Sequence, residues 1–510
     1  MNRITITEQD LTTNVIGYSF SDAVFIPGFS IGGSATVGVP VLCTSIADFN
    51  SYFGTEPPIF ETAQSYPEYV EASTSGFTAY AIPSDVDSDG NYMYQQFETD
   101  LSWTIARKIL SAGLRVVYIK MNKNEYTTLT SGNYQFPGEW QDESSKKVEI
   151  TDTTGLGTNN DCYVNTSNTR VTEDEALDED GNIKTGFKKL TFKSYYDVTV
   201  ENAYAFMFSN IFNGESAIYD KGNFDVKFIT TGGYPSFEFR SSKGISLSSQ
   251  VLELAAYRGD CVAIIDHTNN YDRPLAATNE KSVYYNMKAN IDELSETHLS
   301  YGAMFTPWIN YTSTLTLPAS YAYLEAYAKN NIYNPSWLAI AGVQRGLLNI
   351  KGLSTSEVLT NTIADSYQRS GKTEDTGISI NAITYVNGYG YCIWGNRTLT
   401  NRTTNGTGFA TSTLNIRNLV SDVKKQARLA ALSCLFEQNN DICWVNFKSL
   451  TTPLLDKMES GHGLKKYKVL QNTVQDKTKI SANIVLYPEN TVESFEIAVI
   501  LTDDDAEVSE

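Results

Sequence analysis

The sequence predicts a multidomain protein of mixed α/β and α+β class, and three observations lead there. At 510 residues the chain exceeds one ordinary domain, so three or four units are expected. Short apolar runs of the buried-strand type alternate with helical patterns on both sides of a central stretch of different composition. The final segment, 411–510, joins the longest helical pattern in the chain to strands of strict polar–apolar alternation, which marks a separate α+β unit.

The elements follow in order. Residues 1–24 read as an extended arm, because Arg3, Ile4, Thr5, Ile6 and Thr7 alternate in polarity and no hairpin turn follows to supply a local partner. A terminal strand without a local partner is a candidate for pairing with another chain. Residues 25–120 form the first part of an α/β core. In it, Val39–Cys43 is a short strand, Thr44–Phe49 opens a helix with Thr44 or Ser45 as its N-cap, Ser102–Ala112 is an amphipathic helix ended by Gly113, and Leu114–Lys120 is a buried strand.

Residues 121–245 are rich in Asn, Thr, Gly, Asp and Glu, with short alternating runs at Lys189–Lys193 and Phe224–Ile229. They read as an inserted, mostly β surface domain, in which Glu173–Asp180 is a solvated acidic loop. The core resumes over 246–410 with a helix at Ser249–Arg258 capped by Ser248 or Ser249, strands at Cys261–Asp266 and Met304–Trp308, and a helix at Ser320–Asn330. In 411–510 a helix spans Leu414–Gln438, and strands are expected at Asp441–Phe447, Lys466–Gln471, Ile480–Tyr487 and Glu493–Leu501. The last carries Phe495, Ile497, Val499 and Leu501 on one face and forms a terminal arm.

Composition narrows the function. A net charge of −20 repels nucleic acid, whose phosphates need clustered Lys and Arg. The 32 Tyr and 23 Phe supply amphipathic contact area suited to extensive subunit interfaces or to β-rich surfaces. The N-terminus lacks the apolar stretch of a signal peptide, and no run approaches the roughly 20 residues of a membrane helix. The six cysteines have no paired spacing, so a disulfide framework is not expected and folding in a reducing cytoplasm is.

Several motifs suggest chemistry and fail on their context. Gly28–Gly32 fits G-x-S-x-G with Ser30 as nucleophile, and Asp266 with His267 would complete a serine hydrolase order. The nucleophile elbow needs a helix after the turn, whereas Ser34–Gly38 is Gly-rich and β-branched; Asp266 and His267, adjacent on a strand, point to opposite faces. Asp85–Gly90 starts like a calcium loop, but the twelfth position is Gln96 rather than Glu. Gly390 and Gly395 have P-loop spacing, but Asn396 and Arg397 replace Lys and Ser/Thr. His267, His298 and His462 lack metal-ligand spacing. No catalytic residue, cofactor site or metal site is expected.

Other motifs point elsewhere. The stretch Asn381–Asn396 (NAITYVNGYGYCIWGN) leads into Arg397-Thr398-Leu399, and its Trp394-Gly395-x-Arg397-Thr398 phrase resembles the signature of contractile-tail sheath proteins. The likeness recurs in order. Pro40–Phe49 with Tyr52-Phe53-Gly54 is similar to the family's P-x-L-x-T-S-x-x-D-F-x-x-x-F-G stretch, and Met304–Ile309 to its Y-x-P-W strand. Leu317–Ser320 resembles its P-P-S element with Ala319 for the second proline, and Trp337–Gly346 its A-x-A-G segment. Asn415–Leu419 resembles the V-x-R-L opening of its long helix, and Tyr467–Val469, Ala482–Val485 and Val492–Ile497 follow its closing strands. The W-R-Y-V phrase of the family is replaced by a Thr/Asn/Gly-rich loop at Asn401–Thr413.

The resemblance implies a non-enzymatic subunit without cofactor. It implies copies that stack as six-fold rings in a helical sheath around a tail tube, assembled in the host cytoplasm and ending in a virion tail. Its partners would be other copies, the tube protein, and baseplate and tail terminator proteins, with neither nucleic acid nor membrane insertion. Contraction would drive the tube through a host envelope for genome ejection; a tailocin or other contractile injection system is the alternative. Terminal arms would donate strands to neighbouring subunits, with Arg3–Thr7 and Glu493–Leu501 as candidates. The C-terminal unit would face the tube, where helical spacing sets Arg417, Lys424 and Arg428 on one face with Lys425 alongside, as a basic stripe toward acidic tube residues. A surface adhesin and a hydrolase using Ser30 are readings from other classes.

Overall fold

The computed structural model describes residues 22–30, 33–55, 101–121, 138–143, 162–178, 181–194, 206–234, 246–267, 298–313, 315–354, 379–400, 410–473 and 478–491, with short pieces elsewhere between 65 and 295. The proposed arm strands Arg3–Thr7 and Glu493–Leu501, and the calcium-like Asp85–Gly90, lie outside the described residues. The chain divides into two compact units, Met1–Arg428 and Leu429–Glu510.

The first unit begins with strand β1 (Val24–Gly28), β2 (Pro40–Cys43), helix α1 (Ile46–Phe53), α2 (Leu101–Ser111) and β3 (Val116–Lys120). A smaller group follows: β4 (Gly138–Gln141), β5 (Cys162–Asn165), β6 (Arg170–Val171) and β7 (Phe187–Ser194). Then come β8 (Phe228–Ile229), α3 (Leu247–Arg258), β9 (Val262–Ile265), β10 (Gly302–Thr306), α4 (Ala319–Asn331), β11 (Asn381–Val386), β12 (Gly390–Ile393) and α5 (Leu414–Cys434), whose residues from Leu429 on belong to the second unit.

The main sheet has eight strands in the order β2-β3-β1-β8-β9-β10-β11-β12. The six inner strands run parallel, and β2 and β12 are antiparallel edges. Parallel strands are buried on both faces, which is why β1, β3, β9 and β10 are buried along their whole length and read as continuous apolar runs. Helix α4 is buried all round from Ala319 to Ala328. Its Tyr323 stacks on Phe305 of β10 at 4.7 Å, and Tyr327 meets Phe228 of β8 edge-on at 4.8 Å. Part of the tyrosine content is therefore core: Tyr118, Tyr321, Tyr323 and Tyr327 are among the largest fully buried side chains.

The expectation of a mixed α/β multidomain chain matches the structure in kind, with a large mixed sheet and smaller ones beside it, and there are four differences in detail. Strand β8 comes from the 121–245 segment yet pairs on both sides within the main sheet, and Met207, Phe208, Ile211, Phe212 and Ile218 join the same core. A short apolar run carries no sign of which sheet it enters. The separate β-rich part is the antiparallel sheet β4-β7-β5-β6 with its own small core of Val148, Cys162, Val164 and Leu190. The acidic run includes one helical turn, Glu173–Ala176, closed by a capping box between Thr172 and Glu175. The cap of α3 is Ser246, whose hydroxyl accepts the Ser249 amide at 3.2 Å, rather than Ser248 or Ser249.

The fourth difference lies in the second unit. Asp441–Phe447, expected as a strand, is the start of helix α6 (Asp441–Ser460). Asn440 caps it by accepting the Cys443 amide at 3.0 Å, and Cys443, Thr451, Leu454, Leu455 and Met458 form its buried stripe. Ile442 and Val445, in the run expected as a strand, are exposed on the helix. After α6 come β13 (Leu464–Asn472) and β14 (Ser481–Pro488), an antiparallel pair near the expected limits.

Candidate functional site

The residues that carry the family resemblance turn out to hold the first unit together. In the Thr44–Asp48 phrase, Ser45 caps α1 by accepting the Asp48 amide at 3.1 Å. Asp48 accepts from the Thr44 amide and hydroxyl at 3.2 and 2.6 Å, and these bonds hold its carboxyl below the ordinary range. Phe49 and Phe53, one helical turn apart, lie against Tyr118 of β3 at 5.1 and 4.7 Å between ring centres. Gly54 ends the helix with φ 83°, a conformation that favours glycine.

The signature itself runs along the β11–β12 edge. Trp394 donates its amide to Ala382 at 2.7 Å. Asn381, fully buried, accepts the Arg397 amide at 2.7 Å and donates to the carbonyls of Arg397 and Met304 at 2.8 and 3.0 Å. One side chain thus replaces three ladder bonds where the strand leaves its neighbour. Thr398 bonds to Ser412 through its amide at 2.9 Å and to Thr411 through its hydroxyl at 2.9 Å, and Leu399 donates to Gly302 at 2.9 Å. The start of α5 is tied in by Leu414 to Asn396 at 3.1 Å and by Asn396 to Asn415 at 2.7 Å. Beside Gly395, the residues Trp394, Arg397 and Thr398 therefore link the sheet to the first turn of the long helix.

The Trp337–Gly346 segment covers the same edge. Ile393 donates to Gly346 at 2.8 Å and Leu348 to Tyr391 at 2.9 Å, so the outer side of β12 is partly paired. A side chain at Gly346 would meet the Ile393 carbonyl at 2.8 Å, which explains the glycine there. Asn415 reaches the Trp337 carbonyl at 3.1 Å.

The proposed basic stripe is not one exposed face. Arg417 is buried, donates to Ser300 through its carbonyl at 2.9 Å and its hydroxyl at 2.5 Å, and lies over the Tyr301 ring; burial lowers its pKa. Lys425 is buried and bonds to Val226 O at 2.9 Å and to Asp225 at 2.6 Å. Lys424 is exposed, with its ammonium 3.1 Å from the Tyr301 hydroxyl, and the half-exposed Arg428 donates to Lys221 O at 2.6 Å. The same helix buries Asn418, Ser421, Asp422 and Gln426, and Asp422 pairs with buried Lys227 and accepts from Ser336. Helical spacing was right, but the core side of α5 is polar because it covers loops that present carbonyls.

The residues of the chemical motifs have structural roles. Ser30 is buried, and turns and β2 follow it instead of an elbow helix. Asp266 accepts from the amide and hydroxyl of Ser320 at 3.3 and 2.7 Å, which ties it to the first turn of α4. Burial pushes its carboxyl up to about 7 against those bonds. The His267 carbonyl accepts the Trp308 indole N–H at 2.8 Å. Gly390 opens β12 and Gly395 follows it, so their spacing belongs to a strand. His298 and His462 lie in turns. Among the described residues no cluster of His, Cys, Asp and Glu could hold a metal ion, and no helix is long and apolar enough to cross a membrane.

No protein-family model matches the chain, and no curated protein matches it. Solved structures similar to it over nearly the whole length are sheath proteins of contractile machines. The sheath complex of an extracellular contractile injection system, PVC, in the contracted state is 14% identical, with 99% of this chain and 98% of that one covered and a TM-score of 0.48. The contracted helical sheath of the anti-feeding prophage is 13% identical, with coverage of 98% and 99% and a TM-score of 0.48. A sheath tail protein from Desulfitobacterium hafniense is 10% identical, with coverage of 96% and 100% and a TM-score of 0.47.

Proposed function

We propose that the chain is a structural, non-enzymatic subunit of a contractile sheath, stacking with other copies as six-fold rings around a tube and shortening to drive that tube through an envelope. The observation that carries this reading is the ordered set of sheath-like phrases, which converge on structural duty: capping α1, bridging β10 to β11, covering β12 and anchoring α5. A phage tail with genome ejection and a bacterial injection system are both compatible with it. Tube, baseplate and tail terminator are the proposed partners, and assembly in the host cytoplasm is part of the same proposal.

The second unit supports strand exchange. Strands β13 and β14 pair only with each other among the described residues, which leaves an outer edge on each. Each edge can accept an added strand at about 1 kcal/mol net per hydrogen bond. We assign the donor role to Arg3–Thr7 and to the strand carrying Phe495, Ile497, Val499 and Leu501. Of the basic residues, Lys424 and Arg428 remain the proposed tube contacts, since Arg417 and Lys425 are buried.

Negative-stain electron microscopy of the concentrated chain tests the reading. Striated hollow tubes or stacked rings are expected. Single particles that persist when tube protein is supplied would overturn it. Reversing Lys424 and Arg428 to Glu is expected to block assembly on tubes while circular dichroism stays unchanged; normal assembly would remove the tube-contact assignment alone.

A further inference from the structure

The second unit brings together two thiols that sequence spacing left unrelated. Cys434 is the last residue of α5 and Cys443 the third of α6, nine positions on. The Cys434 thiol lies 3.8 Å from the Cys443 carbonyl oxygen, and the Cys443 thiol lies 3.9 Å from the Cys434 carbonyl oxygen. The contacts are reciprocal, so each side chain reaches across to the other's backbone. Exposure differs: Cys434 is half-exposed, whereas Cys443 is buried at 4%. The other four cysteines sit buried in separate elements of the first unit, Cys43 in β2, Cys162 in β5, Cys261 before β9 and Cys392 in β12.

The turn between the pair is also unusual. Phe436 adopts φ 68°, in the left-handed region that non-glycine residues seldom occupy, and is fully exposed, with exposed Leu435 beside it. A covalent link between Cys434 and Cys443 would close a ring around this turn and fix how it presents those two side chains.

We propose that Cys434 and Cys443 form a reversible dithiol–disulfide switch that staples the turn from the end of α5 to the start of α6 in the presence of an oxidised small-molecule disulfide. The Cys434 thiolate, the accessible one, attacks a sulfur of that disulfide, and one small thiolate leaves. The Cys443 thiol then gives its proton to solvent, its sulfur attacks the Cys434 sulfur of the mixed disulfide, and the second small thiolate leaves. Two electrons pass from the cysteine pair to the small disulfide, which becomes two thiols. Burial, followed by the neighbouring Cys434, pushes the Cys443 thiol above its ordinary range, so the second step is the slow one and quickens as pH rises.

The test exposes the full chain to oxidised glutathione, blocks remaining thiols with an alkylating agent, and maps the peptides by mass spectrometry. The expected product is an intrachain Cys434–Cys443 link that dithiothreitol reverses. It is lost in Cys434→Ser and in Cys443→Ser, the first of which changes a half-exposed site and leaves the fold intact. Three results would each overturn the proposal: both thiols still alkylated while a reference dithiol in the same buffer is oxidised, a stable glutathione adduct on Cys434, or a link between chains.

Discussion

Replacing Asp266 by Asn should remove one source of pH dependence from the core. Asp266 is fully buried at the end of β9, with two donors from Ser320, and burial carries its pKa from 3.8 in the unfolded chain up to about 7. An acid whose folded pKa is raised holds its proton more firmly when folded. Its contribution is therefore favourable below pH about 4 and is lost as pH rises toward about 7. The difference is about three units, or about 4 kcal/mol at 1.36 kcal/mol per unit. The α4 N-terminus favours the ionised form by roughly 0.3–1 kcal/mol, which trims the figure to about 3 kcal/mol. Asn keeps the acceptor for the Ser320 amide and never ionises. At pH 4 the variant should be level with the parent or about 1 kcal/mol less stable, through a poorer bond to the Ser320 hydroxyl. At pH 8 it should be more stable by about 2–3 kcal/mol. Urea unfolding of both chains from pH 4 to 8, read at the transition of the first unit, measures the gap. Titrations elsewhere cancel in the difference. A gap that moves by less than about 1 kcal/mol across that range would refute a raised pKa at Asp266.

Three further substitutions probe the packing. Asn381→Leu removes the partners of Arg397 N, Arg397 O and Met304 O, all beside a fully buried side chain, and should cost about 3–5 kcal/mol at every pH, measured by denaturant midpoint. Lys227→Met strands the buried Asp422 carboxylate and should cost about 3–5 kcal/mol, whereas adding Asp422→Leu should recover most of it; a double-mutant cycle with no coupling would count against the pair. Gly28→Ala would drive its methyl group into the Ser102 and Tyr118 hydroxyls, which bond each other at 3.1 Å, and should cost about 1–3 kcal/mol or prevent folding, read by thermal melting and soluble yield.

What the sequence discloses here follows from where its signals are local. The Thr44–Asp48 cap and the apolar runs at Leu114–Lys120 and Cys261–Asp266 depend on neighbours a few residues away, and they lie within a residue or two of the observed elements. Asp441–Phe447 misled because a short apolar run does not by itself tell strand from helix, and the decisive signal was the Asn440 cap followed by apolar residues at helical spacing through Met458. The basic stripe misled because periodicity finds a face without saying what covers it: Arg417 and Lys425 meet carbonyls at Ser300 and Val226, far off in sequence. Asn381 carries no sequence signal at all for its three bonds. The Cys434–Cys443 pair was hidden for the same reason as α6, since a strand at 441–447 does not bring residue 443 back to the end of α5.

The distribution of buried polar groups bears on how such a subunit could work. Around α5 the first unit is fastened by directional bonds from Asn415, Arg417, Asn418, Asp422 and Lys425 rather than by apolar contact alone. Apolar surfaces tolerate sliding because their attraction depends little on register, whereas a buried ion pair or amide loses its partner when shifted by an ångström. On the sheath reading, the subunit body must rotate between lattice states while its internal geometry stays fixed, and the strain must fall on exchanged strands between subunits. A polar-locked body with a two-stranded sheet that is open among the described residues meets both demands. The corollary is measurable: variants at Lys227 or Asn381 should weaken the isolated chain first, whereas removal of residues 1–21 should leave its unfolding transition in place and abolish tubes in the microscope. If that truncated chain still forms tubes, the lattice does not depend on the N-terminal strand.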